Sequence, residues 1–166
     1  MSDFINAYRG HGRTIVYEDS EGARLLKKEG SPAWRNNNPG NMESRDFAKS
    51  RGAIGDDGRF AVFPNYDTGR KAMESLLKTE SYKENTLEEA INRYAPNHEN
   101  DTNRYIDFIK GKASIRKDQR LRELTDDQFK SVADAIERFE GYIQGEEVPI
   151  PRHKPVYDAT GRMIRD

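Results

Sequence analysis

The sequence predicts a mainly α fold, a helical core with small β-hairpin elements near the N- and C-termini. Three observations carry that expectation. Four apolar stripes spaced by three and four residues lie between residues 68 and 144, the period of an amphipathic helix. Two glycine-containing segments, 15–24 and 155–164, place β-prone arms around a turn. The chain has 166 residues, enough for one domain whose core needs no disulfide or metal.

In chain order, Ile15-Val16-Tyr17-Glu18-Asp19-Ser20-Glu21-Gly22-Ala23-Arg24 reads as a hairpin with Gly22 at the turn. Phe60-Ala61-Val62-Phe63-Pro64 reads as a short strand ended by proline. A helix is expected over 68–79, with Ala72, Met73, Leu76 and Leu77 on its apolar face. Thr86 and Glu89 form a capping box that opens a helix over 86–95, ended by Pro96. Asp101 or Thr102 caps the next, over 102–111, with Tyr105, Ile106, Phe108 and Ile109 on its apolar side and Gly111 near its stop. Thr125 and Gln128 form a second capping box, opening the longest helix, 125–144, with an acidic first turn.

Val148–Pro155 holds three prolines in eight residues, so it is extended. Pro155–Ile164 is the second hairpin; it shares the Val-Tyr-acidic pattern and a turn glycine with the first. Common turn chemistry accounts for that likeness. A lone two-stranded hairpin is marginal, so the two are expected to pair with each other or with the body. The expected division is a hairpin segment at 1–28, a core at 29–145, and a Pro-rich tail with a hairpin at 146–166.

Composition excludes several functions. Hydrophobic and charged residues are each 34% of the chain, and mean hydropathy is −1.03. No apolar run approaches the roughly 18 residues of a membrane helix, so no membrane span is expected. Residues 1–6 lack the pattern of a Sec signal, and synthesis in the cytoplasm is expected. With no cysteine, thiolate metal sites and cysteine nucleophiles are excluded. His11, His98 and His153 have no ligand spacing; no metal or cofactor is expected. Net charge is −1, which gives no global field for nucleic acid. The basic run 114–122 reads as a solvated surface or as a contact for an anionic polymer.

The most unusual stretch is Ala33-Trp34-Arg35-Asn36-Asn37-Asn38-Pro39-Gly40-Asn41-Met42. It holds four asparagines and the only tryptophan. Asparagine amides both donate and accept, which suits sugar amides and hydroxyls. Asparagine also holds turns through its own backbone. On chemistry alone the stretch is either a turn cluster or a ligand site.

This segment, followed by Gly52-Ala53-Ile54-Gly55, Phe60–Pro64, Gly69 and the 72–77 stripe, resembles the lysozyme-like superfamily of peptidoglycan hydrolases. The likeness is to its glucosaminidases and its phage- or effector-associated muramidases. Tyr94-Ala95-Pro96-Asn97-His98-Glu99-Asn100-Asp101-Thr102-Asn103-Arg104-Tyr105 is similar to that superfamily's cleft-lining segment. The resemblance covers about residues 29–145. It implies a lysozyme-like α+β architecture and cleavage of peptidoglycan glycan strands by a muramidase- or glucosaminidase-type activity. The chain would then be a phage lytic protein or a cell-wall-lytic effector, delivered to the periplasm without a Sec signal. A virion or secretion component, or an immunity protein, would be its protein partner.

Carried to this sequence, the resemblance puts the general acid at Glu29, ahead of the Asn-rich turn. Glu18, Glu21 and Glu43 are its rivals, because the segment before Glu29 reads as a hairpin and not as the family's apolar helix. A glycosidic acid needs a carboxyl whose pKa is lifted by desolvation, and Trp34 is expected to supply the apolar wall. The second carboxylate is Glu99, unless the substrate's own N-acetyl group replaces it. Trp34, Asn38, Asn41, Asn100, Tyr94 and Tyr105 are the implied substrate contacts. Tyr94 and Tyr105 also fall on helical stripes, where a core role is equally natural. The competing function is a non-catalytic virion- or secretion-associated module that binds cell wall or protein.

Overall fold

The computed structural model describes residues 3–95, 101–150 and 156–165. It corrects the mainly α expectation: 41% of the chain is helix and 24% strand, with a four-stranded antiparallel sheet. The fold is mixed α+β. Its residues group into two compact units, Met1–Ala72 with Gly141–Asp166, and Met73–Glu140. The boundaries expected after residues 28 and 145 do not follow this division, because strands on both sides of them build one sheet.

The first unit holds, in order, β1 (Phe4–Arg9), β2 (Thr14–Asp19), β3 (Arg24–Lys28), α1 (Pro32–Arg35), α2 (Asp46–Ser50), β4 (Gly55–Asp56) and β5 (Ala61–Val62). The start of α3 (Tyr66–Leu77) follows, and then β6 (Glu146–Ile150), β7 (Val156–Tyr157) and β8 (Met163–Arg165). The hairpin read at 15–24 is β2–β3. Its turn has Gly22 at φ 86°, and Asp19 accepts from the Glu21 and Ala23 amides at 2.9 Å each.

Two further strands turn that hairpin into a sheet of order β1-β2-β3-β6. β1 was not legible, since Phe4-Ile5-Asn6-Ala7-Tyr8-Arg9 breaks strict alternation. A register shift between Phe4 and Asn6 shows why: the strand carries a bulge. β6 comes from the Pro-rich tail and pairs Lys28 with Glu146 through Arg24 with Ile150. Pro149 is tolerated because β6 is an edge strand, where a missing N–H need not break a ladder. Residues 151–155, the rest of that tract, lie outside the described residues.

The C-terminal hairpin forms as β7–β8, with Gly161 at φ 85° and Asp158 accepting from the Thr160 and Arg162 amides at 2.9 and 3.0 Å. An isolated bridge from Gly10 to Asp158 ties it to the β1–β2 loop. On one face of the sheet, Ala7, Ile15 and Tyr17 bury against Val62, with Phe4, Leu25 and Ile54 packed around them. Each large side chain fully buried here contributes about 1.5–3 kcal/mol.

The second unit is helical: α4 (Glu80–Lys83), α5 (Leu87–Tyr94), α6 (Thr102–Ala113), a 3₁₀ turn at Leu121–Glu123, and α7 (Asp126–Glu140). The caps read from sequence are in place. Thr86 accepts from the Glu89 amide at 3.2 Å and Glu89 returns to Thr86 at 2.9 Å. Thr125 and Gln128 do the same at 3.1 and 3.0 Å. Asp101 caps α6 through the Arg104 amide at 3.2 Å.

The helix expected over 68–79 is α3, Tyr66–Leu77, two residues earlier at each end, and two further helix ends differ from expectation. α6 passes Gly111 and stops at Ser114, which takes the left-handed conformation at φ 55°. α7 stops at Glu140 because Gly141, at φ 86°, supplies a left-handed stop four residues early. The basic run is surface: Arg122 meets Glu84 at 3.1 Å, Arg116 meets Asp118 at 3.0 Å and Lys117 meets Glu88 at 3.8 Å, all exposed. Such pairs add little stability. Among the described residues, no helix is long and apolar enough to cross a membrane.

Candidate functional site

The Asn-rich turn is built from α1 outward. Ser31 caps that helix, accepting from the Trp34 amide at 3.3 Å, and Pro32 occupies its first turn. The chain then needs left-handed backbone at Asn37 (φ 51°) and Asn41 (φ 48°), a conformation asparagine accepts more readily than most residues.

Each of the first three asparagines is engaged within the fold. Asn36 donates to Asp57 Oδ2 at 3.0 Å. Asn37 donates to the Phe63 carbonyl at 3.1 Å and accepts from Lys27 Nζ at 2.8 Å. Asn38, fully buried, donates to the Met42 and Ala61 carbonyls at 2.8 and 2.9 Å and accepts from the Met42 amide at 2.9 Å. The turn is thereby stapled to β5. Gly69 completes the arrangement: a Cβ there would lie 1.8 Å from the Asn37 carbonyl oxygen. The spacing from the asparagines to Gly69 therefore records a close approach of α3 to the turn.

Lys27 is the residue that sequence reading missed. It is 4% exposed, with Nζ 4.3 Å from the centre of the Trp34 ring and 5.9 Å from that of Tyr17. Burial pushes its pKa down to about 8, with Glu147 acting in the opposite sense. The Tyr17 hydroxyl donates to the Arg35 carbonyl, and burial, with Tyr142 and Glu147 nearby, holds its pKa well up. A signal for Lys27 was present: it alternates with Leu25 on an inward face of β3, where lysine is a poor fit.

The expected acid does not sit in a dry cleft. Glu29 is at φ 59°, its side chain is 56% exposed, and it pairs with Arg13 at 2.9 Å. Trp34 is instead buried and covered by the Lys27 ammonium. Among the rivals, Glu18 is buried and accepts from Asn6 at 3.1 Å and Tyr8 at 3.0 Å. Strand alternation directs it to the face opposite Tyr17, away from the Asn-rich turn. Glu43 pairs with Arg45 at 2.8 Å and lies 3.8 Å from Arg59, and Glu21 is exposed in the β2–β3 turn.

The implied substrate contacts fall in both units. Trp34, Asn38 and Asn41 belong to the first unit, and Tyr94 and Tyr105 to the second. Asn41 is partly exposed, and its backbone N–H donates to the Asn38 backbone carbonyl at 2.9 Å. Tyr105 is fully buried and stacks on Phe139 with ring centres 3.9 Å apart. Tyr94 is half-buried, edge-on to Tyr82 at 6.4 Å. Burial, then Glu140, raises the pKa of both hydroxyls. Glu99 and Asn100 lie outside the described residues. Among the described residues, no group of three His, Cys, Asp or Glu side chains is placed to hold a metal.

No family model matches the chain. It is 34% identical over 103 residues to Protein P5 of Pseudoalteromonas phage PM2, a match covering 58% of this chain and 64% of that one. The chain thus spans a little under two thirds of the length of this relative.

Proposed function

We propose that this protein is a non-catalytic, virion-associated module that keeps the Asn-rich turn as scaffold and binds cell wall or a partner protein through its surface. The carrying observation is the inward use of the polar turn. Asn38 makes three hydrogen bonds inside the protein, so its amide is not offered to a sugar. Trp34 is buried under Lys27, so its indole is not offered for stacking. A glycosidic acid needs a carboxyl kept from water, whereas Glu29 is exposed and ion-paired. The likeness to a phage protein supports the virion setting. On this reading the chain is made in the host cytoplasm, leaves it within a particle, and requires no immunity protein in its producer.

The competing reading is glycan cleavage, as the lysozyme-like resemblance implies. A zymogram on purified peptidoglycan, with mass spectrometry of released muropeptides, separates the two. The expected result is retention on the wall or on a particle component with no new sugar ends. Released muropeptides overturn the proposal, and Glu29→Gln and Glu99→Gln then assign the acid, since loss of a general acid typically costs about 10²–10⁴-fold.

A further inference from the structure

We propose that a depression beside the bulge in β1 is a binding site for a short zwitterionic peptide with small apolar side chains. The inference goes beyond the reading above and stands whether or not the chain cleaves glycan. The depression has a volume of about 420 Å³ and is open to solvent.

Its apolar wall is exposed by the backbone. Phe4 pairs with Asp19 and Asn6 with Glu18, so Ile5 is the extra residue of the bulge. Its side chain is 60% exposed and lines the depression with Ala53 and Ile54. Bulges re-aim side chains beside functional sites, and a large aliphatic group left open on an edge strand otherwise invites aggregation. The backbone beneath is held closely. The Ala7 amide donates to the Ile54 carbonyl at 3.3 Å, and a Cβ on Gly55 would lie 2.1 Å from the Ala7 carbonyl oxygen. Only glycine lets β4 approach β1 this closely.

The charged rim selects the ligand. Lys49 and Asp56 both line the depression, and both are exposed. Among the described residues neither makes an ion pair, with the other or with any third group. Asp56 Oδ1 accepts from the Gly58 amide at 2.8 Å. One ammonium and one carboxylate that share a depression with apolar surface and do not pair with each other complement a molecule carrying the opposite pair. A neutral glycan leaves both charges unmatched, and a polyanion matches Lys49 and leaves Asp56 opposed. A peptide with free termini and methyl side chains matches all three features.

The test is an amide chemical-shift titration of the full chain with Ala-Ala-Ala bearing free termini, at millimolar concentrations. Shifts should concentrate at residues 5, 49 and 53–56. Lys49→Met and Asp56→Asn should each weaken binding about five-fold, the value of one exposed charge pair. Asn at 56 retains the acceptor for Gly58, so the loop persists, and unchanged shifts elsewhere report an intact fold. The same peptide with acetylated and amidated ends should bind more weakly than either variant binds the free one. Absence of shifts, binding by either variant as tight as by the unaltered chain, or equal binding of the capped and the free peptide would overturn the proposal. So would a chitotriose titration that moves the same residues as strongly.

Discussion

Asn38 makes three hydrogen bonds within the protein and shows no surface. Lys49 and Asp56, in the same unit, keep their charges in water beside exposed Ile5. The first place looks like a ligand site in the sequence and is scaffold in the structure; the second is unremarkable in the sequence. The difference lies in what the surrounding backbone leaves unpaired. The turn needs its amides to satisfy buried Met42 and Ala61 groups, and an unsatisfied buried polar group costs about 1–3 kcal/mol. The depression rests on backbone already bonded to itself, so its side chains are released for recognition.

The contrast breaks first at Gly69. Gly69→Ala drives a methyl against the Asn37 carbonyl, and a destabilisation of about 3 kcal/mol or more is expected in urea unfolding. A change below about 1 kcal/mol would mean the helix slides easily and the turn is not tightly held. Asn38→Ala should cost about 2–3 kcal/mol by removing three buried bonds. Loss of wall or partner binding in the folded fraction, without loss of stability, would return this residue to a ligand role.

Lys27 sharpens the comparison through pH. Its folded pKa of about 8 lies below its ordinary 10.5, so between those values the unfolded chain holds the extra proton. The contribution of Lys27 to stability should therefore rise with pH from about 8 toward 10, by about 2 kcal/mol. As pH approaches 10 the net sign reverses. Tyr17, Tyr94 and Tyr105 have raised pKa values and keep protons that the unfolded chain releases. Lys27→Met should abolish the rise and leave the fall, which urea titrations at several pH values would show.

The smallest effects belong to the surface. Lys49→Met and Asp56→Asn should change stability by under about 0.5 kcal/mol, and Glu29→Gln by no more, since its partner Arg13 is 71% exposed. Thermal melts check all three. A loss of several degrees in Glu29→Gln would show that its left-handed backbone depends on the ion pair.

Much of the helical unit was legible. Thr86, Asp101 and Thr125 are local signals, each reaching only three residues along the chain, and the caps formed as read. The strand at Phe60–Pro64 and both hairpin turns also rest on near neighbours. The sheet was not legible, because Lys28 pairs with Glu146 and no local pattern announces a partner so far away. The bulge at Ile5 hid β1, and the density of prolines concealed the strand Glu146–Ile150. At the site, the order of motifs from Trp34 to Gly69 was visible, but its meaning as close packing was not.

The sequence by itself determined where α5, α6 and α7 begin, which residues turn the hairpins, and that tight turns mark the Asn-rich stretch. Each of these depends on interactions within a few residues, where side-chain type sets the backbone choice. Only the tertiary structure decided that Trp34 lies beneath Lys27, that Asn38 faces inward, that Glu29 faces water, and that Lys49 and Asp56 share one depression. Burial and pairing depend on which distant strand or loop arrives beside a residue. That arrival is set by the packing of the whole unit, whereas a residue's own neighbours in sequence set only its local backbone.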